Sequence, residues 1–130
     1  YNIGSENSFF VAVKYSAAYV ASKHAVLGLT DALREEMPDY IDVGVIAPGF
    51  VGSELIPEPM RHLGMPVDEF AAIILPQMLA GEPYVVSHGY NQVRIDERQS
   101  VIAEAYRQFA PRQEGDERYD VRHLLEQLRP

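Results

Sequence analysis

Residues 41–47, Ile-Asp-Val-Gly-Val-Ile-Ala, followed at once by Pro48-Gly49, limit the fold more than any other stretch of this chain. So short and largely apolar a run reads as a strand buried on both faces of a parallel sheet, and Pro48-Gly49 breaks it. Parallel strands need long crossovers, usually helices, and the sequence supplies them on either side. Residues 17–37 read as a helix in which Val26, Leu29 and Leu33 continue an apolar stripe at helical spacing. Pro38 stops it, because proline cannot continue a helix. Residues 1–5 read as the end of an earlier strand and residues 84–87 as a later one. Residues 67–80 read as a helix whose last turn Pro76 bends or frays, and residues 95–109 as a second amphipathic helix. This alternation predicts an α/β layer with parallel strands.

The connections are as informative as the elements. Residues 6–16 form a loop carrying the apolar run Phe9-Phe10-Val11, and residues 50–66, rich in Pro and Gly, form a loop with at most a short helix. Residues 111–118, "PRQEGDER", are charged and turn-prone, which marks a linker. The expected organisation is therefore a main portion over residues 1–110 and, over 111–130, a linker with a short terminal helix or frayed tail. In parallel sheets ligands bind beyond the carboxyl ends of the strands. That rule sets Ser5 and Pro48-Gly49 at one edge, since each closes a strand, and the first turns of the helix from residue 17 can pack beside it.

On that helix stand Tyr19 and Lys23, four residues apart and so one above the other on one face. A phenol beside an ammonium is a proton-transfer pair, because the cation favours the anionic oxygen and the phenol can then exchange a proton with a reacting oxygen. Ala17, Ala18, Ala21 and Ala25 keep the helix slim, so that a backbone or a flat ligand could approach closely. By itself Tyr-x-x-x-Lys also fits a solvated helix face, and its neighbours decide between the two readings.

With its flanks, the chain resembles the short-chain dehydrogenase/reductase family, of the classical type. The resemblance rests on a Ser near a strand end, Tyr19-x-x-x-Lys23 opening a long helix, and Pro48-Gly49-x-Val51-x-Ser53 after the next strand. "YVASKHAVLGLTDALREE" is similar to the family's catalytic helix and "VGVIAPGFVGSEL" to its following strand and cofactor loop. "YVVSHGYNQVRIDERQSVIAEAYRQF" is similar to its last strand and the helix after it. The resemblance implies a Rossmann-like doubly wound parallel sheet and an NAD- or NADP-dependent oxidoreductase acting on an alcohol or carbonyl. It implies that Tyr19 is the general acid/base, that Lys23 supports it and holds the nicotinamide ribose, and that Ser5 orients the substrate oxygen. Pro48, Gly49, Val51 and Ser53 would form the nicotinamide-side loop. The family's usual spacing puts the Ser where Glu6 stands; Ser5 is one residue further from Tyr19, and Ser8 lies nearer. The run Asn2-Ile3-Gly4 before it favours Ser5.

A dinucleotide-binding fold should also begin with a strand, a Gly-rich turn and a helix that takes the pyrophosphate. None of the nine glycines forms that cluster. The expectation is thus the C-terminal half of such a protein, lacking the N-terminal dinucleotide-binding half and inactive alone. NAD and NADP are not distinguishable from these residues. A different class of function stays open: a non-catalytic module that completes its sheet with a partner, since half a sheet exposes an unpaired edge. The extended branch of the family shares Tyr-x-x-x-Lys, but Pro-Gly-x-Val-x-Ser fits the classical branch better.

Composition narrows the partners. A net charge of −8 and a pI near 4.9 argue against nucleic acid or an anionic membrane surface. There is no Cys, and His24, His62, His88 and His123 show no pairing with carboxylates that suggests a metal, so no metal is expected and the histidines read as surface or edge residues. No apolar run approaches the about 20 residues of a membrane span, and a cytoplasmic protein is expected. A small alcohol or carbonyl substrate is expected, with a homo-oligomeric parent enzyme. Phe9, Phe10, Tyr15, Leu55, Ile56 and Met60 lie in loops that would wall a hydrophobic pocket.

Overall fold

The computed structural model describes residues 1–128. Three short parallel strands, β1 (Asn2–Ile3), β2 (Val45–Ala47) and β3 (Tyr84–Val86), form one sheet in the order β1-β2-β3. Asn2 pairs in register with Val45, which pairs with Tyr84, and Ala47 pairs with Val86. Helix α1 (Ala17–Glu36) lies within the first crossover; the short α2 (Glu58–Arg61) and α3 (Val67–Leu79) lie within the second. The fold is the expected α/β layer. The chain divides into two compact units, Tyr1–Ile95 and a second from Asp96 onward, the division falling within α4 (Asn91–Phe109).

Strand β2 is the central strand, and all three of its residues are buried. It is shorter than its apolar run. Ile41 closes a turn onto the Pro38 carbonyl and is exposed, so residues 41–43 lead into the sheet, which Gly44 meets through its carbonyl on the Asn2 N–H (2.9 Å). Gly44 has no room for a side chain, because a Cβ there would collide with the Tyr1 ring. Val45, Ile46, Ala47, Val85 and Phe10 are the buried apolar residues among those described.

Helix α1 ends at Glu36, one residue before Met37 turns extended ahead of Pro38, as the steric clash before proline requires. Its one fully buried residue is polar. Thr30 donates to the Val26 carbonyl (2.6 Å) and accepts from the Asn2 side-chain amide (3.0 Å), tying the helix to β1. At the same end of the sheet Arg34 donates to the carbonyls of Val43 (2.9 Å) and Pro83 (3.3 Å) and lies over the Tyr84 ring. One guanidinium thus joins the entrances of β2 and β3.

Helix α3 keeps Pro76 within its last turn and closes on Gly81, whose φ of 75° is the left-handed conformation that glycine adopts without steric cost. The Gln77 amide turns back to β3, accepting from the Val86 N–H (3.0 Å) and donating to its carbonyl (2.8 Å). A side chain so occupies the backbone groups that a further strand would take. Helix α4 starts at Asn91, four residues ahead of its apolar pattern, on turns closed by His88 and Gly89 carbonyls. In the second unit a 3-10 turn (Asp116–Tyr119) precedes α5 (Val121–Gln127), which the Asp120 side chain caps at the Arg122 N–H (2.9 Å). No helix among the described residues is long and apolar enough to cross a membrane.

Thr30→Val keeps the shape of the buried side chain but leaves the Asn2 amide without its acceptor. Urea unfolding should show a loss of about 1–2 kcal/mol; an unchanged midpoint would mean that the bond between α1 and β1 contributes nothing.

Candidate active site

The chain leaves β1 through Gly4 and bends at Ser5 into a 3-10 turn (Glu6–Ser8). The bend is held reciprocally: the Ser5 hydroxyl accepts from the Asn7 N–H (3.1 Å), and the Ser8 hydroxyl accepts from the Ser5 N–H (3.2 Å). This is a capping box, and it fixes the Ser5 side chain at the carboxyl end of the strand. Ser8 is fully buried and donates to the Lys23 carbonyl (2.8 Å), which joins the turn to α1. Of the two serines considered, Ser8 is thus committed to the scaffold, whereas Ser5 reaches Tyr19.

Tyr19 stands in the first turn of α1 and is 45% exposed. Its hydroxyl donates to Ser5 Oγ at 3.3 Å. Lys23, one turn on, places Nζ 5.8 Å from the Tyr19 ring centroid and donates to the Ile3 carbonyl (3.1 Å). That carbonyl belongs to the last residue of β1, so one strand end holds both the ammonium and, two residues later, the serine. Two hydroxyls and a cation converge on one edge, where Tyr19 is partly exposed. Such an arrangement can pass a proton to or from an oxygen placed beside the two hydroxyls.

Pro48 and Gly49 leave the adjacent strand end. The Glu6 N–H donates to the Pro48 carbonyl (2.8 Å), tying this loop to the Ser5 bend. Beyond it Val51 forms a parallel bridge with Met65, made by the Gly52 N–H to Met65 carbonyl bond (2.9 Å) and the Met65 N–H to Phe50 carbonyl bond (2.9 Å). Gly52 and Gly64 lie backbone against backbone there, too close for side chains. The bridge uses groups of the flanking residues, so the Val51 N–H faces away from Met65. Ser53 is half-buried and closes a turn with its N–H on the Val51 carbonyl (2.8 Å).

These features fit the nicotinamide end of a dinucleotide. A backbone N–H turned outward suits a carboxamide, and a lysine ammonium beside an exposed phenol suits ribose hydroxyls. Residues 48–53 and the Ser5, Tyr19 and Lys23 group stand at the same sheet edge through the Glu6–Pro48 bond. A cavity of about 420 Å³ opens beyond β2 and β3, lined in part by Glu6, Phe9, Ala47, Val86 and His88.

Other site neighbours carry no signal in the sequence pattern. Asn7 is buried and accepts from the N–H groups of Ala12 (2.9 Å) and Val13 (3.2 Å), holding the loop before α1. Tyr90 donates to the Glu6 carboxylate (3.1 Å); burial, and then that carboxylate, push its phenol above the ordinary tyrosine range. His88, read as an ordinary surface or edge residue, lies against the Gly49 backbone, where a Cβ would stand 2.5 Å from its ring. Knowing only that ligands gather at carboxyl ends of strands, one could have flagged Ser87-His88 for following β3. Of the expected pocket walls, Phe9 lines this cavity, Phe10 is buried, and Tyr15, itself fully exposed, lines a separate hollow with Val11, Val13 and Val20; Leu55 is exposed at 92% and lines neither.

Among the described residues no group of histidines and carboxylates could hold a metal ion. Residues 1–61 match the family model described as short chain dehydrogenase. The chain is 57% identical over 35 residues to tropinone reductase-like 3 of Erythroxylum coca, 27% of this chain and 14% of that protein. It is 34% identical over 87 residues to D-beta-hydroxybutyrate dehydrogenase of Rhizobium meliloti, 63% of this chain and 32% of that protein. A solved structure from Novosphingobium aromaticivorans, assigned as a short-chain dehydrogenase, superposes with a TM-score of 0.70 at 29% identity. It covers 98% of this chain and 43% of its own, so the chain spans less than half of each of these proteins. In the match over residues 1–61 and in its fold, the chain is similar to short-chain dehydrogenases.

Proposed function

We propose that these residues carry the proton-transfer part of a nicotinamide-dependent oxidoreductase that interconverts an alcohol and a ketone or aldehyde. The observation that carries the reading is the Tyr19 hydroxyl bonded to Ser5 Oγ with the Lys23 ammonium one helical turn away. NAD or NADP, when bound, supplies the hydride acceptor or donor. Ser5 Oγ hydrogen-bonds the substrate oxygen and holds it beside Tyr19. In the oxidative direction the Tyr19 oxygen takes the alcohol proton as the C–H bond breaks; in the reductive direction it returns that proton to the forming alkoxide. Lys23 stabilises negative charge on the Tyr19 oxygen and, with its remaining N–H donors, holds ribose hydroxyls. Val51 offers its outward N–H to the carboxamide, while Pro48 and Gly49 shape the turn and Ser53 adds a hydroxyl. The apolar lining of the cavity beside Glu6 suits a hydrophobic substrate body.

A second reading, a non-catalytic module that pairs with a partner, draws on β1. That strand is the sheet edge, and its Ile3 is 57% exposed. The hydroxyl pair at the strand end favours catalysis, since pairing alone has no use for it.

In the longest protein that carries this sequence, Tyr19→Phe should lower kcat by about 10²–10⁴-fold with cofactor binding retained. Unchanged turnover would defeat the proton-transfer role. The 130 residues by themselves should show no turnover with either cofactor across a panel of alcohols and ketones, because none of their glycines forms a pyrophosphate-binding cluster. A rate above background from the isolated chain would contradict that.

A further inference from the structure

We infer that His88 is a positioning residue: its neutral imidazole sets the shape of the turn at Pro48, Gly49 and Phe50. The inference builds on the nicotinamide-side role proposed for that turn. One backbone group on each of three consecutive residues of the turn is held from outside it. The Pro48 carbonyl accepts from the Glu6 N–H (2.8 Å), the Gly49 N–H donates to His88 Nδ1 (3.2 Å), and the Phe50 carbonyl lies 3.3 Å from His88 Nε2. One ring therefore grips two successive residues.

The partners dictate the proton position. A backbone N–H can only donate, so Nδ1 carries a lone pair toward Gly49; a carbonyl can only accept, so Nε2 carries the hydrogen toward Phe50. The Ser87 hydroxyl lies 2.7 Å from the same nitrogen. Any other protonation state sets a donor against the Gly49 N–H or two lone pairs against each other at Phe50.

The ring itself is held in turn. It meets Tyr90 edge to face at 5.7 Å, Tyr90 donates to the Glu6 carboxylate, and the Glu6 N–H returns to Pro48. Gly49 lets the ring close on the backbone, since any side chain would occupy its place. With Gly49 and Phe50 pinned, the next residue, Val51, enters its bridge to Met65 with its N–H directed away from that partner. His88 thus sets, two residues on, the donor offered to a nicotinamide, while touching no reacting atom itself.

The test uses the 130-residue chain, ¹⁵N labelling, and nicotinamide mononucleotide as the probe. Ring ¹⁵N shifts of the wild type should report the Nε2–H tautomer at His88; the Nδ1–H tautomer would overturn the inference whatever the variants do. His88→Phe keeps a ring and loses both polar contacts, whereas His88→Asn keeps an acceptor at the Nδ1 position. Gly49 amide exchange should be about tenfold faster in His88→Phe and within about threefold of wild type in His88→Asn. Mononucleotide-induced shifts at residues 49, 51 and 53 should disappear in the Phe variant and persist in the Asn variant. A Phe variant that matches wild type at Gly49, or an Asn variant no better than Phe, would overturn the positioning role. If the mononucleotide shifts nothing in the wild type, the nicotinamide reading of the turn fails, while Gly49 exchange still decides what His88 does to it.

Discussion

The parallel register of β1, β2 and β3 is the constraint on which the remainder of the first unit depends. Because Ile3, Ala47 and Val86 end their strands on one side, the segments after them emerge at a common edge. The Ser5 bend, the Pro48-Gly49 turn and the Ser87-His88 segment are neighbours for that reason alone. Short bonds between them, from Glu6 to Pro48 and from His88 to Gly49 and Phe50, then convert proximity into fixed geometry. A parallel pairing also demands crossovers, and α1 in the first of them carries Tyr19 and Lys23 to the same edge.

The polar contacts divide the work by strand end. At the entrances Arg34 and Thr30 join helix to sheet, both bonded to backbone and Thr30 also to the half-buried Asn2 side chain. At the exits the same kinds of group are left with open valences: Tyr19 is partly exposed, Lys23 uses one donor on Ile3, and Val51 turns its N–H away from Met65. A fold that satisfies its polar groups at one edge and offers them at the other has a scaffold side and a chemical side. Nothing in composition separates the two; the direction of the strands does.

Much of this was legible in the sequence, for physical reasons. Helix α1 announces itself through the spacing of Val26, Leu29 and Leu33 and the stop at Pro38, because burying one face imposes a period. The loop nature of residues 50–66 follows from Pro and Gly, which act locally. Strand β2 was read too long, since Ile41 and Val43 look as apolar as the strand although the turn at Pro38 holds Ile41 out of the sheet. Helix α4 was read too short, because Asn91 and Gln92 begin it by turn bonds and not by an apolar stripe. Least legible were Asn7, His88 and Tyr90. Each acts through contacts with backbone or side chains of other segments, and such contacts leave no period, no spacing and no composition to read.

The central claim is that Tyr19 and Ser5 act as one unit through the bond between their hydroxyls. A double-mutant cycle on kcat/KM, with Tyr19→Phe, Ser5→Ala and the pair in the longest protein carrying this sequence, tests it most directly. The account predicts strong non-additivity, the double variant being about as slow as the slower single one. Effects that simply multiply would show two independent residues and contradict it.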